Sequence, residues 1–547
     1  MSLARPDALD ITTKQKVALA IGISGLFILT LALLNTSFPN KALFLTAALV
    51  LIIVGTVWYS REAYLTKLEG IKNDGQWFKS ISSRGLWGWI LGIVLTGFYI
   101  VLYFFAEYLG LGQGADGTNT GLISLFDPLS QLLSGRNASQ WFVYGTLYTV
   151  AILAFGYKFI LKYRHNRYQQ LRTISVMFFQ LGFAFLIPEF MYIMNSEIPY
   201  YDLKNMWPLN YYNFEQYRIN SFLSTGNIGL GLLIFGVLSI FVISPFLTYK
   251  YGKRWYCSWV CGCGGLAETA GDSFRHLSSK KLSAWRLERW LIHTVLVLSV
   301  VTTAAVVSTY LKKGGYWATV GGKKSFIEYW LSNEAFLIGL GVFLLLLFAS
   351  IMYFKKNQFS KRVKLTTSIA LLIVIVFLGS LYFYDINAIK INASYFSFGL
   401  NDKTYSFSSA LKSFYAFGIG SIFSGVIGTG FYPILGSRAW CRFGCPMAGI
   451  LGFQQRLFSK FRITTNGGQC ISCGNCSNSC EMGIDVRAYA QKGENIVRSS
   501  CVGCGICSAV CPRGVLKLEN DSMKGRINPT EVLLGNDVDL MKLVNQN

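Results

Sequence analysis

Eight of the 13 cysteines lie in two copies of one pattern near the C-terminus. The first run is Cys470-x2-Cys473-x2-Cys476-x3-Cys480, and the second is Cys501-x2-Cys504-x2-Cys507-x3-Cys511, followed by Pro512. This spacing is typical of thiolates that bind two [4Fe–4S] clusters, where the fourth cysteine of each run reaches the cluster of the other run. The pattern therefore predicts one-electron transfer.

The expected ligand sets follow from this exchange of fourth cysteines. One cluster takes Cys470, Cys473, Cys476 and Cys511, and the other takes Cys501, Cys504, Cys507 and Cys480. Two structural zinc sites are the alternative, but zinc usually takes Cys-x2-Cys pairs that longer loops separate. Glu481 stands where the second run has Pro512, and we expect this departure to alter the potential of the first cluster without removing it.

The other five cysteines lie in two stretches that align without a gap. These stretches are Gly252-x-Arg254-x2-Cys257-x3-Cys261-Gly262-Cys263 and Gly436-x-Arg438-x-Trp440-Cys441-x3-Cys445-Pro446. Residues four apart share one face of a helix, so we expect a third iron–sulfur cluster at the membrane surface, with Cys257, Cys261, Cys441 and Cys445 as ligands. Cys263 is an alternative ligand. Thiols in redox exchange, a metal site of another kind and structural packing are the competing interpretations.

The composition indicates a membrane protein. Of the 547 residues, 52% are hydrophobic and 14% are charged, and the mean hydropathy is +0.41, which excludes an ordinary soluble protein. The net charge of +23 comes mostly from Lys and Arg in short loops between apolar segments. That distribution is typical of cytoplasmic loops, so we predict the lipid bilayer, and no nucleic acid, as a partner.

Ten apolar segments are long enough to cross a bilayer. They are 17–36, 42–59, 86–110, 139–161, 173–195, 227–249, 291–311, 334–354, 365–385 and 413–435. With this count, four basic loops (60–85, 162–172, 250–290 and 355–364) share one side with both termini, and the basic loop 312–333 lies opposite. Cluster cysteines need a reducing compartment, so we expect the C-terminal domain on the cytoplasmic side of the bacterial cytoplasmic membrane.

The predicted fold is an α-helical polytopic membrane protein in two related halves, with a small C-terminal α+β two-cluster ferredoxin domain. The expected organisation is a membrane region of about six spans (1–249), a loop with the first cysteine motif and an amphipathic helix (250–290), a second membrane region of about four spans (291–435), the second motif and its amphipathic helix (436–463), the ferredoxin-like domain (464–518) and a tail (519–547). We expect both amphipathic helices to lie in the membrane interface.

Two features lie away from the cysteines. The outer loop 196–226 is rich in Tyr and Trp, which favours an aromatic belt at the membrane interface over a docking or quinone-binding patch. Glu189 follows Pro188 near the outer end of the fifth segment. Ionisable groups inside a span are functional candidates, so we predict that Glu189 accepts protons near a quinone site. A snorkelling interfacial carboxylate is the alternative.

The cysteine motifs together resemble those of membrane polyferredoxins of the NapH, NosR and CcoG type. The stretches that carry the resemblance are Arg254-Trp-Tyr-Cys-Ser-Trp-Val-Cys261, Arg438-Ala-Trp-Cys-Arg-Phe-Gly-Cys-Pro-Met447 and the two C-terminal runs, within about 240–520. The resemblance implies a protein that exchanges electrons with quinol or quinone and relays them to a partner. The first motif departs from these families at Gly262, where proline is usual. The flavin domain of NosR-type proteins is not visible here.

The sequence thus predicts a quinol-linked oxidoreductase component that relays electrons between the quinone pool and a redox partner protein or subunit through [4Fe–4S] clusters. No Cys-x-x-Cys-His motif is present for covalent haem, and the three histidines cannot form a facing pair in the membrane, so no haem is expected. One alternative is an accessory reductase for metalloenzyme maturation or for copper reduction. The other is a transporter or sensor that the clusters regulate.

Overall fold

Ten helices are long and apolar enough to cross a membrane, in a computed structural model that describes residues 11–66, 85–113, 117–312, 332–354, 361–392, 404–465, 469–520, 533–534 and 538–539. We call them spans 1 to 10: Thr13–Leu33, Lys41–Tyr64, Leu86–Phe104, Gln140–Lys162, Arg167–Met194, Asn227–Tyr251, Leu282–Lys312, Asn333–Phe354, Lys364–Phe383 and Phe407–Ile427. The prediction of a polytopic helical fold is confirmed. The basic loop 312–333, apart from its end residues, most of the basic loop 355–364 and most of the tail lie outside the described residues.

The spans carry apolar side chains outward as well as inward. In span 8 only 6% of the most apolar window is buried, and in span 7 the share is 39%. Large apolar side chains such as Ile93 and Leu346 are more than 60% exposed. A water-soluble fold would not leave so much contiguous apolar surface uncovered, so this surface fits a lipid environment.

Three spans contain π-helical segments, at Phe179–Leu186, Ser239–Ile243 and Tyr415–Ile427. Such segments are rare and often occur at functional sites. The first ends two residues before Pro188, which has no backbone N–H to donate to the carbonyl four residues earlier. That carbonyl, of Ala184, instead accepts a 2.6 Å hydrogen bond from the Tyr200 hydroxyl. The loop after span 5 therefore supplies the hydrogen bond that Pro188 cannot donate within the span.

This loop, 196–226, enters the helical bundle. Trp207 Nε1 donates to Thr303 Oγ1 of span 7 at 2.9 Å, nine residues from the end of that span. Met206 is buried in the same hydrophobic cluster as Cys257 and Cys441. Trp207 therefore bonds to a span through its indole, and the interfacial aromatic belt stays a prediction.

The paired-cysteine segments are built from short helices. The first holds Arg254–Cys257, Gly262–Thr269 and the 3₁₀ helix Ala270–Leu277; the second holds Tyr432–Leu435, the π-helical turn Trp440–Gly444 and Pro446–Phe458. Span 7 begins at Leu282, inside the stretch expected to form the first interfacial helix. Leu457 and Phe461 of the second amphipathic stretch are buried, against protein rather than at a free surface.

The C-terminal unit is small and mostly irregular. Its helices are Asn475–Asn478, Val486–Lys492 and Ile506–Ala509, and its strands Arg462–Thr465 and Leu516–Glu519 pair antiparallel, Arg462 opposite Glu519. Two further strand pairs are Lys390–Asn392 with Thr404–Ser406 and Leu533–Leu534 with Val538–Asp539. The remaining helices are Ala106–Leu109, Gly121–Ser134, Tyr211–Phe214, Gln216–Ser224 and Ile386–Ala388.

Candidate functional site

The first predicted ferredoxin ligand set lines one pocket. Cys470, Cys473, Cys476 and Cys511 all border it, and its volume is about 360 Å³, including the part open to solvent. Burial raises the pKa of Cys476 to about 11, and the nearby sulfurs of Cys511, Cys473 and Cys470 add to this effect. The fourth cysteine of the second run thus lies with the first run, as cluster ligation requires.

The second ligand set is more deeply buried. Burial raises the pKa of Cys507 well above its usual value, with Cys504, Cys501 and Cys480 as further causes. Cys480, from the first run, also acts on Cys501. The structure therefore brings together the members of both predicted sets, and these residues fit two [4Fe–4S] clusters.

Glycines before the short helices let the chain turn around each set. Gly474 and Gly505 have φ of +78° and +76°, a left-handed conformation that side chains with a Cβ rarely adopt. A Cβ on Gly505 would lie 2.8 Å from the Tyr168 ring. The second loop consequently approaches the membrane region too closely for any larger residue.

Four consecutive carbonyls of the second loop accept hydrogen bonds from membrane-region side chains. Gln455 Nε2 donates to Cys501 O at 2.9 Å, Ser258 Oγ to Val502 O at 2.9 Å, Tyr168 Oη to Gly503 O at 2.9 Å and Gln169 Nε2 to Cys504 O at 2.8 Å. These donors come from span 5 and from both paired-cysteine segments. The second ferredoxin loop therefore faces the membrane region, whereas the first opens to solvent.

The four membrane cysteines form one buried group. Cys257, Cys441 and Cys445 belong to a single hydrophobic cluster, and Cys261 packs against it. The pairs differ from the expected single helical turn. Cys257 ends one short helix and Cys261 directly precedes the next, while Cys445 Sγ caps Pro446–Phe458 by accepting from Ala448 N at 3.4 Å.

This group is packed among the helices of the bundle. A Cβ on Gly262 would lie 3.0 Å from the Tyr148 ring and closer still to Gln180 Oε1. Gln180 is 11 residues along span 5 from Gln169, or about 16 Å at 1.5 Å per residue. Close packing against spans 4 and 5 explains why glycine stands at this position, and the depth of the four cysteines relative to the membrane surface stays a prediction.

The pKa values of the membrane cysteines are shifted in opposite directions. Burial raises the pKa of Cys257 to about 12 and that of Cys445 well above its usual value. Two neighbours lower the pKa of Cys261 to about 6 despite burial: Cys263 does so through a hydrogen bond, and Lys204 through its positive charge. Because thiolates are the metal ligands, cluster binding here would release protons from the raised thiols.

Cys263 itself is exposed although it lies among polar side chains of the bundle. It interacts electrostatically with Tyr148, Tyr432 and Lys204. Two buried oxygens nearby, Tyr148 Oη and Gln180 Oε1, have no hydrogen bond of good geometry. An exposed thiol among enclosed neighbours indicates a polar cleft beside the membrane cysteines.

Glu189 is buried, with 2% of its surface exposed, and Arg136 pairs with it at 3.2 Å. The alternative of a snorkelling carboxylate is therefore wrong. Glu189 lies nine residues beyond Gln180 in span 5, so it is about 14 Å further from the ferredoxin contact. Tyr200 interacts with Glu189 and with Asp202, and Asp202 pairs with Lys204 at 3.2 Å. Polar and charged side chains therefore lie near Glu189 (Tyr200) and near Cys261 (Lys204).

Sequence reasoning missed a group of buried charges between the two regions. Glu268 and Glu481 lie within 4.8 Å of the Cys504 sulfur and of each other. Both carboxylates pair with arginines, and Cys504 belongs to the second ferredoxin set, so this is an ion-pair network and not a separate metal site. The arginines come from segments far apart in sequence, and no local pattern signals their meeting.

Family models for 4Fe-4S domains match the segments that hold these cysteines. A 4Fe-4S dicluster domain matches residues 469–516, and a 4Fe-4S binding domain matches twice, over 233–284 and 417–464. A stretch of 49 residues is 41% identical to the "Putative electron transport protein YccM" of Escherichia coli (strain K12), and covers 9% of this chain and 13% of that protein. No solved structure matches the chain.

The repeated match spans both paired-cysteine motifs, in agreement with two related membrane halves. Membership of the polyferredoxin family stays a prediction. The chain therefore combines ferredoxin-type 4Fe-4S domains with ten helices that are long and apolar enough to cross a membrane.

Proposed function

We propose that the protein relays electrons between the quinone pool and a redox partner protein, by way of three [4Fe–4S] sites. One observation carries this proposal. Eleven of the twelve candidate ligand cysteines belong to a single hydrophobic cluster that runs from the helical bundle into the ferredoxin unit, six of them buried and five packed against it. The twelfth, Cys473, is exposed at the solvent-facing pocket.

The order of the sites follows from the docking contacts. The membrane set is Cys257, Cys261, Cys441 and Cys445, with Cys263 as the alternative ligand. The second ferredoxin set lies against the membrane region and the first set opens to solvent. When bound, each cluster supplies a one-electron carrier, and the protein contributes its ligands and insulation.

The membrane end calls for a lipid-soluble electron carrier. Quinones have two polar oxygens on a flat ring, and the cleft at Cys263 offers two polar groups, the Tyr148 hydroxyl beside the Cys263 thiol and the Gln180 carboxamide. Apolar sites with a few placed polar groups are typical of small-molecule binding. We therefore place the quinone ring in this cleft. The basic loops support a cytoplasmic ferredoxin unit in the bacterial inner membrane.

We propose Glu189 as an acceptor for the protons that quinol releases with its two electrons. Replacing Glu189 with glutamine is expected to slow quinol-driven cluster reduction at least about tenfold, because the amide cannot accept the proton. Reduction by dithionite should not change, since it bypasses quinol.

The matched control is Glu197→Gln, an exposed carboxylate in the following loop. It should keep the wild-type rate. Equal quinol-driven rates in the Glu189 variant and the wild type, over the full pH profile, would remove Glu189 from the proposal.

The proposed function is tested with anaerobic protein in lipid nanodiscs. Menaquinol and ubiquinol are each mixed with oxidised protein, and menaquinone and ubiquinone with dithionite-reduced protein, while EPR follows the clusters. We expect one quinone couple to change the cluster signals in at least one direction. If neither couple changes them, the quinone assignment is wrong.

A further inference from the structure

Five ionised side chains are buried where the ferredoxin unit meets the membrane region. They are Arg172 of span 5, Glu268 and Arg275 after the first cysteine pair, Arg438 of the second motif, and Glu481. The exposed fraction of each side chain is 4% or less. Buried charges of this kind are stable only when they are paired.

Each carboxylate is shared by two arginines. Glu481 forms ion pairs with Arg438 Nε and with Arg275 Nη1, both at 2.9 Å. Glu268 pairs with Arg438 and with Arg172. Several of these atoms form ion pairs without well-aligned hydrogen bonds, so charge more than directional bonding holds the group together.

The group carries one surplus positive charge, since three arginines face two glutamates. Asp272 and Lys162 extend it outward, through Arg275 to Asp272 at 3.2 Å and Lys162 to Asp272 at 2.6 Å, and leave the surplus unchanged. Burial alone would raise the pKa of Asp272, but Lys162 and Arg275 outweigh it and lower this pKa to about 2.

Glu481 places this charge beside the second ferredoxin set. It directly follows Cys480, its backbone carbonyl accepts from Ser278 Oγ at 2.6 Å, and its carboxylate lies within 4.8 Å of the Cys504 sulfur. Both Cys480 and Cys504 belong to the second set. We expected Glu481 to act on the first cluster. Its carboxylate instead lies beside a cysteine of the second ligand set, so that expectation is wrong.

We propose that the ion-pair network of Glu481 tunes the reduction potential of the cluster held by Cys480, Cys501, Cys504 and Cys507. Net charge close to a cluster is one determinant of its potential, and water screens buried charge weakly. The negative carboxylate opposes the added electron, and the arginines favour it. This inference rests on the proposed ligand sets and not on the quinone.

The test is an EPR redox titration of the anaerobic, cluster-loaded full chain. Glu481→Gln removes one negative charge, so the cluster of the second set should become easier to reduce by at least tenfold, which is about 59 mV for a one-electron couple. The cluster of the first set, titrated in the same sample, should stay unchanged. Glu481→Asp keeps the charge and should stay near the wild-type potential.

Two further variants separate an effect of the buried network on the potential from misfolding and from a general effect of surface charge. Glu268→Gln removes the network's other carboxylate, which belongs to the membrane region, and should raise the same potential. Glu494→Gln removes an exposed carboxylate of the ferredoxin unit and should shift neither potential measurably. The proposal is overturned if the second potential stays fixed or falls in both buried variants, or if both clusters shift equally. Wild-type protein without two separable ferredoxin-type centres would overturn the ligand sets, and this inference with them.

Discussion

Replacing Cys441 and Cys445 together with serine should reduce quinol-driven reduction of the ferredoxin clusters to the rate seen without quinol. These cysteines supply half of the proposed membrane site, and the four-cysteine group lies between the polar cleft and the second ferredoxin loop. Loss of that site would leave no carrier between them. The same variant should contain about four fewer irons per chain. Both quantities can be measured on one anaerobic preparation.

Dithionite reduction of the same variant is the control. The ferredoxin sets use eight other cysteines, so their EPR signals should appear at wild-type intensity. A variant that still accepts electrons from quinol at the wild-type rate would show that the membrane pairs are structural or serve thiol exchange.

Arg438→Met should destabilise the contact between the ferredoxin unit and the membrane region by about 3–5 kcal/mol. Removing one partner of a buried ion pair leaves an uncompensated charge, and this arginine serves both Glu268 and Glu481. Its Nη1 also donates to the Cys257 carbonyl at 3.2 Å. Hydrogen exchange of the second ferredoxin loop and thermal unfolding in detergent can measure the loss.

The matched control is Arg456→Met, in the helix after the second cysteine pair. Arg456 is exposed and donates to the Val497 carbonyl at 2.7 Å, so its loss should cost about 1 kcal/mol or less. Equal protection and equal melting in the two variants would mean that the buried arginine does not hold the interface.

The sequence supports the prediction of much of the ferredoxin unit because iron–sulfur ligation imposes a short local spacing. The runs that begin at Cys470 and Cys501 can be recognised within a dozen residues, and the expected exchange of Cys480 and Cys511 agrees with their positions in the structure. The ten spans were predictable for a similar reason, since a bilayer requires a minimum apolar length.

The interior of the bundle was not predictable in the same way. Lys204 approaches Cys261 from a loop that hydropathy places outside the membrane. Hydropathy is averaged over a window of residues, so it does not reveal the few loop residues that enter the bundle. Arg172, Glu268 and Glu481 are separated by about 100 residues or more along the chain. Their pairing depends on how spans and loops pack, which no local spacing encodes.

Iron and acid-labile sulfide per chain, measured on anaerobically purified full-length protein, test the central claim most directly. Three [4Fe–4S] sites predict about twelve irons and about twelve sulfides per chain. About eight of each would leave the two ferredoxin sets alone and contradict a membrane cluster, and an iron-poor, colourless protein would contradict the electron relay as a whole.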